Sequence, residues 1–272
     1  MAIKDILLYL DNSPSCPSRI ELAVYMARTH GAHLKGLYTV SHSYYAPRLG
    51  RAESEMVSRS EALFAEKTQH AGISVEWLYV DWPVVGTKIP EIIEQYAFST
   101  DLIIVSQPDH GSQSDGTPVD LSERLGLGTG RPVLVVPYAG SFPTCGDRVM
   151  IAWRSGRESS RAVNDAMSIL VKARLVSVVT VATPNSHDDT VDNDAAMLCA
   201  YLSRHQISAT RDQILTSVSF PVGDVLLNNA CEHKMDLLVM GAFAPTRRGT
   251  YMLGPVAKHL MNHMTVPVLI SH

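Results

Sequence analysis

This chain repeats itself, and the repeat limits the folds open to it. Asp101-Leu-Ile-Ile-Val-Ser returns as Asp236-Leu-Leu-Val-Met-Gly, and Arg131-Pro-Val-Leu-Val-Val returns as Val266-Pro-Val-Leu-Ile-Ser, both 135 residues later. Ile6-Leu-Leu-Tyr-Leu-Asp returns as Val149-Met-Ile-Ala-Trp-Arg at an offset of 143. Ala32-His-Leu returns as Ala173-Arg-Leu at 141, and each leads into a strand ending in Thr-Val, at Thr39-Val40 and Thr180-Val181. Offsets that drift in this way are what loop insertions and deletions produce. The chain therefore reads as two copies of one unit, each of ordinary domain size. The joint falls in 138–146, YAGSFPTCG, whose Gly, Pro and Ser punctuate a linker. Domains are expected over 1–140 and 146–272.

Inside each copy, short apolar runs alternate with longer segments of helical period. The first predicts strands over 3–10, 33–40, 74–80, 102–106 and 133–136, with helices over 18–30, 52–71 and 85–99. The second predicts strands over 148–153, 173–182, 210–216, 237–240 and 266–270, with helices over 158–172, 189–205, 221–234 and 253–263. Strands that are apolar throughout, separated by helices, imply a parallel sheet covered on both faces. The fold class is α/β.

Composition narrows the functions. A net charge of -4 argues against a nucleic-acid partner, whose phosphates need a basic surface. No apolar stretch approaches membrane-spanning length, and the N-terminal MAIKDILLYLD lacks the long apolar core and cleavage site of a signal peptide. Cys16, Cys145, Cys199 and Cys231 form no CxxC pair, which fits reduced thiols in a cytoplasm. Cys16 lies near a helix start, where its pKa could fall, although an ordinary buried thiol explains it as well.

The stretch 236–272 carries the clearest functional pattern. A strand ends at Gly241; Ala244, Arg247 and Arg248 follow in a loop; Gly254, Pro255 and Val256 then open a helix. A loop running from a strand end into a helix start is where α/β proteins hold anions, because the helix offers free N–H groups and a partial positive charge. Gly241, two residues, Ala244, nine residues, Gly254, Pro255 resembles the nucleotide loop of the universal stress protein family. That loop has glycine at the first three of these positions and Ser or Thr at the fourth. The resemblance spans the whole chain twice. It implies two tandem doubly wound five-stranded parallel-sheet domains, strand order 3-2-1-4-5, paired as an internal pseudo-dimer. It also implies a ligand site between the first and fourth strands of each half.

The two halves keep different parts of that site. In the first, Asp11, Asn12 and Ser13 close the opening strand, and Asp11 matches the family position that hydrogen-bonds the adenosine; helix capping is the plainer role. The rest of this site reads as vestigial. Gly126-Leu-Gly128-Thr-Gly130 imitates a phosphate loop, but a strand follows it, so it is expected to be a mere connection. In the second half Arg154 stands at the Asp position, beside Trp153, with Arg157 shortly after and Val181 closing the second strand. Arg154, Arg157, Arg247 and Arg248 place up to four guanidinium groups around one mouth. Ala244 would cost roughly 1–2 kcal/mol if it had to be left-handed, and Pro255 removes one N–H.

Other groupings have plainer explanations. His259 and His263 have metal-ligand spacing but read as surface histidines near a helix end. Asp188, Asp189, Asp192 and Asp194 suit the opening of a helix better than a calcium loop. Tyr44 and Tyr45 could cover a pocket mouth. No nucleophile is paired with a base. The expected function is stress response by sensing a small anion in the second domain, ATP or another adenine nucleotide being the candidate ligand, with no metal. A ligand-free scaffold acting through a protein partner or self-association is the alternative, and a slow ATPase is the weaker one.

Overall fold

The computed structural model describes residues 2–41, 51–82, 87–107, 118–182, 188–217, 220–246 and 250–272. Ala2–Pro143 and Thr144–His272 form two compact units.

The first unit runs β1 (Asp5–Leu10), α1 (Cys16–His30), β2 (His33–Ser41), α2 (Arg51–Thr68), β3 (Val75–Trp82), α3 (Ile89–Ala97), β4 (Leu102–Ser106), α4 (Leu121–Gly128) and β5 (Val133–Val136). Its strands lie in the order β3-β2-β1-β4-β5, all parallel. This is the 3-2-1-4-5 arrangement. Ile6, Leu7, Leu8 and Leu10 are fully buried, as are Leu102–Val105. Each such side chain gains roughly 2 kcal/mol by leaving water, which is why the central strands carry no polar face.

The second unit runs β6 (Arg148–Ala152), α5 (Arg157–Leu170), β7 (Leu175–Ala182), α6 (Asp188–Arg204), β8 (Ala209–Leu215), α7 (Val222–Glu232), β9 (Leu237–Gly241), β10 (Phe243–Pro245), β11 (Tyr251–Leu253), α8 (Pro255–His263) and β12 (Val268–Ser271). Its parallel strands follow the same order, β8-β7-β6-β9-β12. Among the described residues no helix is long and apolar enough to cross a membrane.

Two features differ from expectation. The glycine run 126–130 is not a connection: Gly126 and Gly128 lie inside α4. Leu121 and Leu125 repeat at helical spacing and are buried. At Gly128 a Cβ would stand 2.5 Å from Glu94 Oε1 on α3, so the glycine leaves room for the end of that side chain. A glycine run that resembles a loop in sequence thus ends a helix, with Gly128 against the Glu94 side chain of α3. The second difference is the stretch after Gly241. It forms an antiparallel hairpin, pairing Phe243 with Leu253 and Pro245 with Tyr251. Thr246 N–H donates to Thr250 O at 2.6 Å to close it.

Register also corrects the repeat. Leu10 pairs with Tyr38, but Ala152 pairs with Val179, so Trp153 stands level with Thr180. The counterpart of Tyr38 is thus Thr180, and that of Thr39 is Val181. The match of the two Thr-Val pairs is one residue out of step, which in a strand means opposite faces.

Candidate functional site

In the first unit the ends of β1 and β4 meet the start of α1, and most polar groups there pair with one another, Arg19 Nη1 being buried without a hydrogen-bond partner among the described residues. Arg19, fully buried on α1, places Nη2 2.8 Å from Asp11 Oδ2 and donates from Nε to Tyr9 O at 3.2 Å. Ser13 donates to Asp11 Oδ1 from its backbone N–H, at 3.0 Å, and from its hydroxyl. The Ser13, Ser15 and Ser106 hydroxyls continue the chain at 3.0 and 3.4 Å. Asn12 donates to Tyr38 Oη at 2.6 Å. Burial alone would push the Asp11 carboxyl up, but the Arg19 charge and the Ser13 bonds outweigh it and hold it below its ordinary range. Asp11 is therefore engaged from within. Cys16, 1% exposed at the start of α1, departs from the lowered pKa considered above: burial raises it, only partly offset by Arg19.

The second unit places different chemistry at the same level. Gly241 ends β9 under the first turn of α5, where a Cβ would stand 2.4 Å from Ser159 N. Its lack of a side chain sets how closely α5 approaches the sheet. Arg154 and Arg157, both exposed, flank the turn from β6 into α5. Arg154 makes no hydrogen bond or ion pair among the described residues. Arg157 reaches Tyr251 Oη at 3.4 Å and lies 5.9 Å from the centre of its ring. Tyr251 in turn meets the His272 ring at 4.6 Å, and Phe243 meets His272 at 5.2 Å. Arg157 opens α5 where the dipole disfavours a cation, so a bound anion there would relieve both groups.

The start of α8 is tied to the residue after β9. Gly254 has an extended backbone and donates its N–H to Ala242 O at 2.8 Å; Pro255 is the first helical residue. The N–H groups of Val256 and Ala257 then have no intrahelical acceptor. Ala244 lies in β10 and is not among the residues of positive φ, so it carries no left-handed strain.

The structure does not gather every expected residue. Trp153 stands level with Gly241, on the face covered by α5, whereas alternation puts Val181 on the opposite face. Trp153 is half-buried and its Nε1 has no partner among the described residues. Arg247, Arg248, Tyr44 and Tyr45 lie outside the described residues. His259 donates from Nε2 to Asp224 Oδ1 on α7 at 2.7 Å, which ties it to a neighbouring helix. No cluster of three metal-ligating side chains occurs among the described residues. Sequence reasoning missed Tyr251, His272 and Arg19. The first two are far apart in sequence from Arg157, and the repeat contained no sign of their meeting. Arg19 had a visible signal: a lone arginine at an apolar helix position eight residues from Asp11.

The universal stress protein family model matches residues 147–272. The second half is thus similar to the universal stress protein family. A universal stress protein from Archaeoglobus fulgidus DSM 4304 superposes on 98% of the chain and 95% of its own, with a TM-score of 0.69 and 17% identity. A protein of unknown function from Pseudomonas aeruginosa PAO1 gives a TM-score of 0.62 at 16% identity, over 99% and 92%. These likenesses extend the universal stress protein fold to both halves. An Archaeoglobus fulgidus universal stress protein solved with dAMP matches 50% of this chain and 98% of its own, at 14% identity and a TM-score of 0.39. No curated protein sequence matches the chain.

Proposed function

We propose that this is a stress-response protein that senses a small anionic ligand with its second domain, an adenine nucleotide being the first candidate, and does so without catalysis. The observation that carries this reading is Arg154. It is an exposed cation at the switch point, without an acidic partner among the described residues, in the position where the first half has an engaged carboxylate. Arg157 and the start of α8 add a second guanidinium and free N–H groups to the same sheet end. The first half stays ligand-free in this reading, because Arg19 already occupies Asp11.

Binding to the native state must raise its stability. Ligand-stripped protein is melted with and without millimolar ATP, ADP, AMP or inorganic phosphate. A melting temperature that rises with nucleotide, and rises less in an Arg154→Ala variant, supports the reading. Melts unmoved by all four reject it and leave the scaffold role.

A further inference from the structure

We propose that the outer edge of the first sheet is a docking surface for an extended, lysine-bearing peptide segment of a partner protein. This lies in the other domain from the anion site and does not depend on it.

β3 is the last strand of its sheet, and among the described residues nothing pairs with its outer edge. The backbone groups of Val75–Leu78 on that side are open to an added strand. None of the residues from Val75 to Asp81 is buried, unlike the central strands, and Val75 and Tyr79 are 40% and 38% exposed. Between β3 and α2 runs a groove of ≈ 630 Å³, lined by Glu61, Ala65, Glu66, Gln69, Val75 and Trp77. Trp77 forms a firm floor, packed 5.9 Å from Phe64 and 6.3 Å from Tyr38.

These features select the occupant. A strand added beside β3 would lie about 4.8 Å away and turn alternate side chains into the groove. There the apolar floor of Trp77, Val75 and Ala65 takes aliphatic groups. The rim is acidic: Glu61 and Glu66 are exposed, and neither makes an ion pair among the described residues. The nearby Lys67 is turned away to Glu21 at 2.6 Å. A segment with lysines flanking an aliphatic core matches both the charge and the shape.

The test uses the full chain and fluorescence anisotropy at low ionic strength. The probe is a labelled peptide of about eight residues, strand length, with lysines flanking an alternating valine–threonine core. Its companions carry glutamates for the lysines, or N-methyl groups on alternate amides. The lysine peptide should bind at least about tenfold tighter than the glutamate peptide, a preference that charge complementarity can supply. The N-methylated peptide should fail to bind. A Glu61→Lys/Glu66→Lys variant, altered only at exposed positions, should reverse the charge preference. No binding of the lysine peptide, equal binding of both charge forms, or an unchanged preference in the variant overturns the proposal. So does self-association of the chain that the same variant abolishes.

Discussion

Arg19 Nη2 stands 2.8 Å from Asp11 Oδ2, with the arginine side chain 1% and the aspartate side chain 7% exposed. This pair uses internally the carboxylate that the family resemblance assigns to a nucleotide. Removing one partner strands the other charge away from water, which typically costs about 3–5 kcal/mol. Asp11→Ala should therefore lower the unfolding free energy of the first domain by about that amount, read from urea titration. A loss under about 1 kcal/mol would mean the pair is not sealed.

The same pair fixes a pH dependence. The folded Asp11 carboxyl titrates below its ordinary value of 3.8, with burial opposing and the Arg19 charge and Ser13 bonds prevailing. Its contribution is complete above the unfolded value and is lost as pH falls through the lower folded value. Wild-type stability should thus drop on acidification below about pH 4, and Asp11→Asn should flatten that part of the curve. Identical acid limbs in the two proteins would contradict the assignment.

Gly241→Ala should destabilise the second domain more than a surface change. The added Cβ meets backbone, Ser159 N at 2.4 Å and Glu158 C at 2.5 Å, so α5 must shift. Overpacking of this kind costs roughly 1–3 kcal/mol, visible as a lower melting temperature. Because Arg157 rides on the same helix turn, anion affinity should fall with it. A variant as stable as the wild type would show that α5 yields freely.

Tyr251 separates two roles of the Arg157 contact. Tyr251→Phe keeps the ring under the guanidinium and should change stability by only a few tenths of a kcal/mol. Tyr251→Ala loses the platform for Arg157 and His272 and should cost about 1 kcal/mol. Equal losses in thermal melts of the two variants would move the weight to the hydroxyl.

The repeat and the apolar strand runs made the fold legible, because a parallel strand buried on both faces leaves a continuous apolar signature. α4 was not legible, since its Gly126 and Gly128 look like a loop in isolation, while the helix is held by the buried Leu121 and Leu125. The hairpin after Gly241 is only three residues per strand, too short to show alternation. At the site, Arg154, Arg157 and Gly241 could be named from sequence. Their company could not, because Tyr251 reaches Arg157, and His272 reaches Tyr251, only through tertiary packing. The face on which Val181 lies depends on a register that a one-residue shift in a loop reverses.

Calorimetric titration of ligand-stripped protein with ATP, ADP and AMP at millimolar concentration tests the anion site most directly. Saturable heat is expected for at least one nucleotide in the wild type, with affinity reduced at least about tenfold in an Arg154→Ala/Arg157→Ala variant, as lost charge-assisted bonds would give. The absence of heat with every nucleotide, or equal affinity in the double variant, would contradict that expectation.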